Sequence, residues 1–323
     1  MIAVTGSAGL LGSEIVRQLT SSGKKVRAIF NNNPPVIESP LVEPFNCNIL
    51  DVITLDEALK DVEQVYHCAA LVSFKGNDAR SLYSINVEGT SNVVNASLNN
   101  QVGKFLYVSS VAALGRVNDA VVSEASPWDE KVRSSNYARS KYLAEMEVWR
   151  ASAEGLDTAI INPSIILGTG DWSKGSTAIF RSVFNEFPWY TEGESGFVDV
   201  RDVARAAITL MGSDVNRERF IINGVNMSYH KLFSLVAACF NKKEPKRKVS
   251  PFLASLVWRY EKLRSLVTRR EPLVTRETAR SAMAKVKYDN SKFLAAFPHF
   301  NYTPIEETVE HICKILQHKV NNE

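Results

Sequence analysis

The chain is short of several things, and each absence removes a class of function. No run of about 18 apolar residues occurs, so nothing in the sequence reads as a helix crossing a bilayer. Cys47, Cys68, Cys239 and Cys313 lie far apart and form no C-x-x-C pair, so no metal site is expected. Isolated thiols of this kind read as free, partly buried cysteines in a reducing, cytoplasmic setting. Excess charge is scarce too. With 38 Lys and Arg against 35 Asp and Glu, the net charge of +3 calls for no nucleic-acid partner. The opening Met1-Ile2-Ala3-Val4 is too short for a signal-peptide core and runs straight into a glycine turn. Internal repeats and low-complexity tracts are missing as well.

What is present is an ordinary globular composition, 45% hydrophobic and 23% charged. Its 323 residues suffice for one large or two intimately associated domains. The first half alternates apolar strands, expected over 2–4, 25–30, 64–70, 104–109 and 158–161, with helical segments. Helices are expected over 13–22, near 56–59, over 87–98 and over 137–152, and later over 202–211 with Asp202 as its cap. A last sheet strand is expected at 220–222. Residues 31–35 combine three asparagines and two prolines and cannot be regular structure. Strands separated by helices imply right-handed crossovers: an α/β fold, a Rossmann-type doubly wound parallel sheet with helices on both faces. From about Asn226 helices dominate, broken at Pro251, Pro272, Pro298 and Pro304. The reading is two interleaved units. Residues 1–162 with about 198–225 form a nucleotide domain; about 163–197 with 226–323 form a smaller, mainly helical substrate domain.

Between the first strand and the first helix stands Thr5-Gly6-Ser7-Ala8-Gly9-Leu10-Leu11-Gly12. The unpaired N–H groups and positive dipole end of a helix's first turn suit a dinucleotide pyrophosphate, and glycines let the backbone approach it. Gly6, Gly9 and Gly12 sit in the strand–turn–helix context that such a motif requires, with Leu10 and Leu11 opening the helix. NAD normally calls for a carboxylate at the end of the second strand, to hold the ribose 2′-hydroxyl. Here that place reads Phe30-Asn31-Asn32-Asn33, and Lys24 and Arg27 lie near in sequence. The balance tilts slightly toward NADP(H) over NAD(H).

Farther along stand Ser110, Tyr137 and Lys141. A phenol titrating near 10 exchanges protons poorly at neutral pH, and a neighbouring ammonium stabilises its phenolate. Tyr137 and Lys141 are four apart on an expected helix and share a face. Ser110, at the mouth of a strand, can donate a hydrogen bond to a developing oxyanion. Ser109 is the alternative. With the glycine turn upstream, this order of residues describes hydride transfer to or from a carbonyl carbon.

Together these residues resemble the extended branch of the short-chain dehydrogenase/reductase superfamily, the NAD-dependent epimerase/dehydratase type. The resemblance covers most of the chain. It rests on 5–12, on Cys47-Asn48-Ile49-Leu50-Asp51, on His67-Cys68-Ala69-Ala70, on Asn86-Val87-Glu88-Gly89-Thr90, and on Phe197-Val198-Asp199-Val200-Arg201-Asp202-Val203-Ala204. Asn48 stands where the family often has aspartate. The resemblance implies Tyr137 as acid/base, Lys141 as its electrostatic partner and Ser110 as oxyanion donor. It places Asn48 and Ile49 beside the adenine, and Ala69 and Ala70 under the cofactor, with Asn31, Pro163, Ile165 and Ile166 completing that site. Asn86 reads equally as a support of the site or a helix start, and His67 as hydrogen-bonded structure. Ile161-Asn162-Pro163-Ser164 and Tyr288-Asp289-Asn290-Ser291-Lys292 look like the dihydroflavonol 4-reductase and 3β-hydroxysteroid dehydrogenase group.

The implied activity is NAD(P)-dependent reduction of an aldehyde or ketone, or oxidation of the matching alcohol. Two alternatives stand beside it: a nucleotide-sugar epimerase or dehydratase with tightly held NAD, and a non-catalytic dinucleotide sensor. The expected partner is a small-molecule carbonyl or alcohol, with a homodimer left open. Residues 240–287 hold fourteen Lys or Arg against four Glu, around Pro251-Phe252-Leu253-Ala254-Ser255-Leu256-Val257-Trp258. That stretch reads as a lid over the substrate, an interfacial helix making weak peripheral membrane contact, or a packed amphipathic helix.

Overall fold

The structure is a computed structural model and describes residues 1–115, 121–129, 134–171, 175–250, 255–256, 258–259 and 276–321. Seven parallel strands form its main sheet. They are β1 (Ile2–Thr5), β2 (Val26–Phe30), β3 (Val42–Asn46), β4 (Gln64–His67), β5 (Lys104–Val108), β6 (Thr158–Pro163) and β10 (Glu218–Ile222). Their order across the sheet is β10-β6-β5-β4-β1-β2-β3. From β1 the chain first winds outward to β2 and β3, then returns to β4 and winds the other way. The strand order therefore reverses between β1 and β4, the switch point at whose carboxyl edge doubly wound sheets form their ligand crevice.

The central strands are buried on both faces, and their two sides feed two cores. On one side α1 (Leu10–Ser21) packs against α7 (Val200–Met211) through Leu11, Ile15, Val16, Val203, Ala207 and Leu210. On the other, α2 (Val52–Ala58), α4 (Gly89–Asn99) and α5 (Asn136–Ala153) cover Val65, Phe105, Tyr107 and Ile160. The short helix α3 (Ala79–Leu82) and a π-turn over Tyr83–Glu88 lead into α4, so the helix expected over 87–98 begins inside the π-turn. Among the described residues no helix is long and apolar enough to cross a membrane.

A second sheet stands outside the first. Its strands β7 (Ile165–Leu167), β9 (Glu194–Asp199) and β11 (Val225–Ser228) run in the order β11-β9-β7, while the two-residue β8 (Trp189–Tyr190) pairs apart from them. With α6 (Ala178–Phe184), α8 (Tyr229–Cys239) and a last helix over Ile305–Asn321, it encloses a core of Phe180, Phe197, Leu232, Val236, Val309 and Ile312. Sequence periodicity did not show these strands, since each is only three to six residues long. Within the basic segment 240–287, residues 251–254, 257 and 260–275, which hold most of the apolar stretch read as a lid or interfacial helix, lie outside the described residues.

The cap of α7 also differs from expectation. Asp199, not Asp202, is the N-cap and accepts a hydrogen bond from Arg201 N at 2.8 Å. Asp202 lies inside the first turn, 1% exposed, and accepts from Thr303 N (2.6 Å), Thr303 Oγ1 (2.9 Å) and Arg205 (2.7 Å). It ties the C-terminal region to the main sheet. Asp202→Ala strands the Thr303 donors and is expected to destabilise the chain by about 1–3 kcal/mol. Urea unfolding measures this; a midpoint equal to the parent's would remove the tie.

Candidate active site

The glycine turn sits at the β1/β4 switch point. Gly6 has φ +65, and a Cβ there would lie 2.7 Å from Ala69 N, so only glycine fits between this turn and the end of β4. Gly9 is the N-cap of α1 and has no side chain to cap it. The first-turn amides of α1 are thus open toward the crevice, the arrangement that receives a pyrophosphate. The residues therefore fit a dinucleotide. Leu11 is buried in the core. Half-buried Leu10 holds the loop after β7 close: a Cβ on Gly168 would come within 2.8 Å of its Cδ1.

The other expected cofactor residues fall around the same crevice with unequal freedom. Asn31 is exposed at the end of β2, and its carbonyl accepts from Asn46 Nδ2 at 2.8 Å. Asn48 is exposed, but its Oδ1 accepts from Leu50 N (3.0 Å) and so serves the turn before α2. Ile49 is buried against Gly89, where a Cβ would meet its Cδ1 at 2.5 Å. Ala69 donates its N–H to Thr5 Oγ1 at 3.2 Å, and Ala70 is exposed beyond it. Pro163 closes β6, while Ile165 and Ile166 open β7, half-buried. Lys24 and Arg27 do not belong to this edge. Lys24 precedes β2, roughly 20 Å from the strand's end at about 3.3 Å per residue. Arg27 is bound to Glu43 (2.7 Å) and to the carbonyls of Ala58 (3.1 Å) and Lys60 (3.0 Å).

Ser110, Tyr137 and Lys141 converge beside the crevice. Ser110 follows β5 and caps a short 3-10 turn, its Oγ accepting from Ala112 N at 3.1 Å. Ser135 caps α5, which makes Tyr137 its second residue and aims it at the carboxyl end of the sheet. Burial raises the Tyr137 phenol above its ordinary value, and a hydrogen bond with Ser110 offsets part of that rise. The phenol is protonated at neutral pH. Phe74 meets its ring edge-on, with centroids 5.5 Å apart. One turn on, Lys141 is 1% exposed, donates to Val108 O at 2.8 Å and lies 4.3 Å from the Tyr107 ring centre. Burial pushes its ammonium down to about 7, against upward pulls from Glu145 and Cys68. Ser109, the alternative serine, is buried on the opposite face of the strand, and its Oγ has no partner among the described residues.

A directed chain of hydrogen bonds fixes the floor of the site. Thr90 donates to Asn86 O (2.6 Å), so its oxygen is left to accept from His67 Nε2 (3.0 Å). His67 Nδ1 then accepts from Thr5 Oγ1 (2.7 Å), which takes the Ala69 N–H. Burial, followed by the Lys141 charge, pushes His67 down to about 3, so it stays neutral and structural. Asn86 holds Leu71 through both its amide atoms (2.7 and 3.0 Å) and reaches Ser140 Oγ at 2.9 Å. All four cysteines are free, and burial raises the Cys68 thiol to about 12. Sequence reasoning quoted Thr5 and Thr90 only as members of motifs, without these bonds, and missed Ser140 and Glu145 outright. Only Glu145 left a signal: it repeats the Tyr137–Lys141 spacing one turn later.

Known proteins resemble the chain in sequence and in fold. The chain is 28% identical to sterol demethylase protein B of Methylococcus capsulatus over 257 residues, covering 77% of each chain. It is 28% identical to a putative dihydroflavonol 4-reductase of Synechocystis over 301 residues, covering 90% of this chain and 87% of the relative. Among solved structures, that of gox2253 superposes with a TM-score of 0.84 at 29% identity, covering 98% of both chains. The model of the NAD dependent epimerase/dehydratase family matches residues 2–223, which hold the glycine turn, the Tyr-x-x-x-Lys pair and the sheet that joins them. The chain belongs to that family.

Proposed function

We propose that the protein is an NAD(P)-dependent oxidoreductase that reduces an aldehyde or ketone, or oxidises the matching alcohol. One observation carries the reading: a protonated Tyr137 phenol beside Ser110, with the buried Lys141 ammonium one helical turn below, at the edge where α1 leaves its first-turn amides open. A nicotinamide bound along this edge supplies or accepts the hydride. Gly6, Gly9 and Gly12 let the backbone reach the pyrophosphate, with Leu10 and Leu11 opening the helix above it. Asn31, Asn48, Ile49, Ala69, Ala70, Pro163, Ile165 and Ile166 would line the rest of that seat, and Lys141 would hold the cofactor's ribose beside the reacting carbon. Ser110 orients the carbonyl oxygen, Tyr137 hands its proton to the forming alkoxide, and Lys141 offsets the charge left on the phenol.

The assay follows NADPH and NADH absorbance with aldehydes, ketones, hydroxysteroids and UDP-sugars. Carbonyl-dependent oxidation of cofactor in proportion to product is expected. Sugar isomerisation without net cofactor consumption would replace this reading with an epimerase.

NADP(H) is the favoured cofactor, and with Lys24 and Arg27 directed elsewhere that preference rests on the missing carboxylate at Asn31, Asn32 and Asn33. Asn31→Asp adds the charge that accepts a ribose hydroxyl and repels a 2′-phosphate. It should shift the NADPH/NADH ratio of kcat/KM toward NADH by about tenfold or more, each tenfold being about 1.4 kcal/mol. An unchanged ratio would place the ribose elsewhere.

A further inference from the structure

Glu145 has no evident reason to be charged. It is fully buried among Ala144, Val148 and Ala151 of α5, where a small apolar residue would pack without desolvating a carboxylate. Yet the fold provides for it in detail. Asn162 Nδ2 donates to Glu145 Oε1 at 2.6 Å, and Arg219 Nη1 lies 3.2 Å from Glu145 Oε2. Arg219 is held in turn by the Glu124 carbonyl, 3.1 Å from its Nε. The second hydrogen of Asn162 Nδ2 goes to the main-chain oxygen of Ser110, at 3.0 Å. With a carboxylate and a carbonyl as its two acceptors, the Asn162 amide has a single consistent orientation.

The same carboxylate sits one helical turn from Lys141. The groups that face Lys141 come from three elements. Tyr137 and Glu145 lie on α5, His67 and Cys68 at the end of β4, and Tyr107 on β5. His67 is held neutral, and burial raises the Cys68, Tyr107 and Tyr137 groups, so they are neutral too. Of the two groups that pull the Lys141 ammonium upward, Glu145 and Cys68, Glu145 is the larger and sits on the same helix one turn away. Arg219, on β10, faces Glu145 from the far side.

We propose that Glu145 is a positioning residue with two tasks: through Asn162 it fixes the Ser110 backbone, and through its charge it keeps Lys141 cationic under Tyr137. Arg219 locks the carboxylate in place. The inference rests on the reductase reading for its kinetic consequences, while its electrostatic half can be read without turnover.

The test is Glu145→Gln in the full chain, which keeps shape and removes charge. The Lys141 titration is followed by NMR of 13C-labelled lysine, assigned with Lys141→Met. The midpoint is expected to fall by about one pH unit or more, equivalent to a tenfold shift in the protonation equilibrium. In carbonyl reduction with NADPH the alkaline limb should move down with it, so that kcat falls about tenfold near pH 8 and recovers near pH 6. The KM for NADPH should stay within about threefold, a factor worth less than 1 kcal/mol. A merely structural carboxylate would lower activity at every pH. An unmoved Lys141 midpoint in folded Glu145→Gln overturns the charge role, whether or not the wild type reduces carbonyls. Absence of any carbonyl-dependent turnover in the wild type would overturn the reductase reading alone.

Asn162→Ala tests the other half and does not depend on Glu145→Gln folding. It should lower kcat about tenfold at every pH, the cost of about 1.4 kcal/mol of lost alignment, with the Lys141 midpoint unmoved. A kcat within about twofold of wild type, less than 0.5 kcal/mol, overturns the hold on Ser110.

Discussion

Replacing Tyr137 by phenylalanine is expected to lower kcat for carbonyl reduction about 100- to 10,000-fold, the usual worth of a positioned general acid. The substitution removes one oxygen and little else. The ring keeps its edge-on contact with Phe74, and the Ser135 cap that sets the start of α5 is untouched. Lys141 keeps its bond to the Val108 carbonyl and its place over the Tyr107 ring. NADPH affinity should therefore change little, and the loss should fall on kcat. Steady-state kinetics with a fluorescence titration of NADPH separates the two effects. Retained turnover would mean that the proton comes from another group. A loss confined to affinity would place Tyr137 in the cofactor seat without a proton to give.

The parts of this fold legible in the sequence are those fixed by local chemistry. The glycine turn, the alternating strands and helices through β6 other than β3, and the Tyr-x-x-x-Lys pair depend on residues within one or two turns of each other. The strand β3 was not legible, because Val42-Glu43-Pro44-Phe45-Asn46 carries a proline and lacks alternation. It is tolerated because β3 is the sheet's edge, where a missing N–H has no ladder to break. The cap of α7 was misplaced because Asp199 and Asp202 both suit the role from sequence. The decision comes from Thr303, about a hundred positions away, which occupies Asp202. Arg27 shows the same limit. Its nearness in sequence to Asn31 suggested a phosphate partner, whereas the sheet register sends it to Glu43 across β2 and β3. Side chains that act through space were the hidden part of the candidate site. The Thr5–His67–Thr90–Asn86 chain joins β1, β4 and the start of α4, and no local pattern announces that these elements meet.

Gly12→Ala puts the cofactor seat to its hardest test. A Cβ on Gly12 would lie 2.2 Å from Gly6 O and 2.8 Å from Gly6 C, and both atoms are backbone. The turn cannot yield easily, since Gly6 is pressed against Ala69 and its carbonyl accepts the Gly9 N–H at 2.9 Å. Nor can α1 retreat, because Leu11, Ile15, Val16 and Leu19 are locked into the core that it shares with α7. Either movement disturbs the open amides at the start of the helix. The variant should lose about 1–3 kcal/mol of stability through overpacking. It should also bind NADPH about tenfold to a hundredfold more weakly, a loss of about 1.4–2.8 kcal/mol. Gly23→Ala is the control. Gly23 has φ +80, but a Cβ there meets nothing within 4 Å, and it lies at the far end of α1. It should cost about 1–2 kcal/mol from backbone strain and leave NADPH affinity unchanged. Thermal melts with NADPH titrations of both variants distinguish strain from loss of the seat. Equal affinities in the two would mean that the pyrophosphate does not rest on this turn.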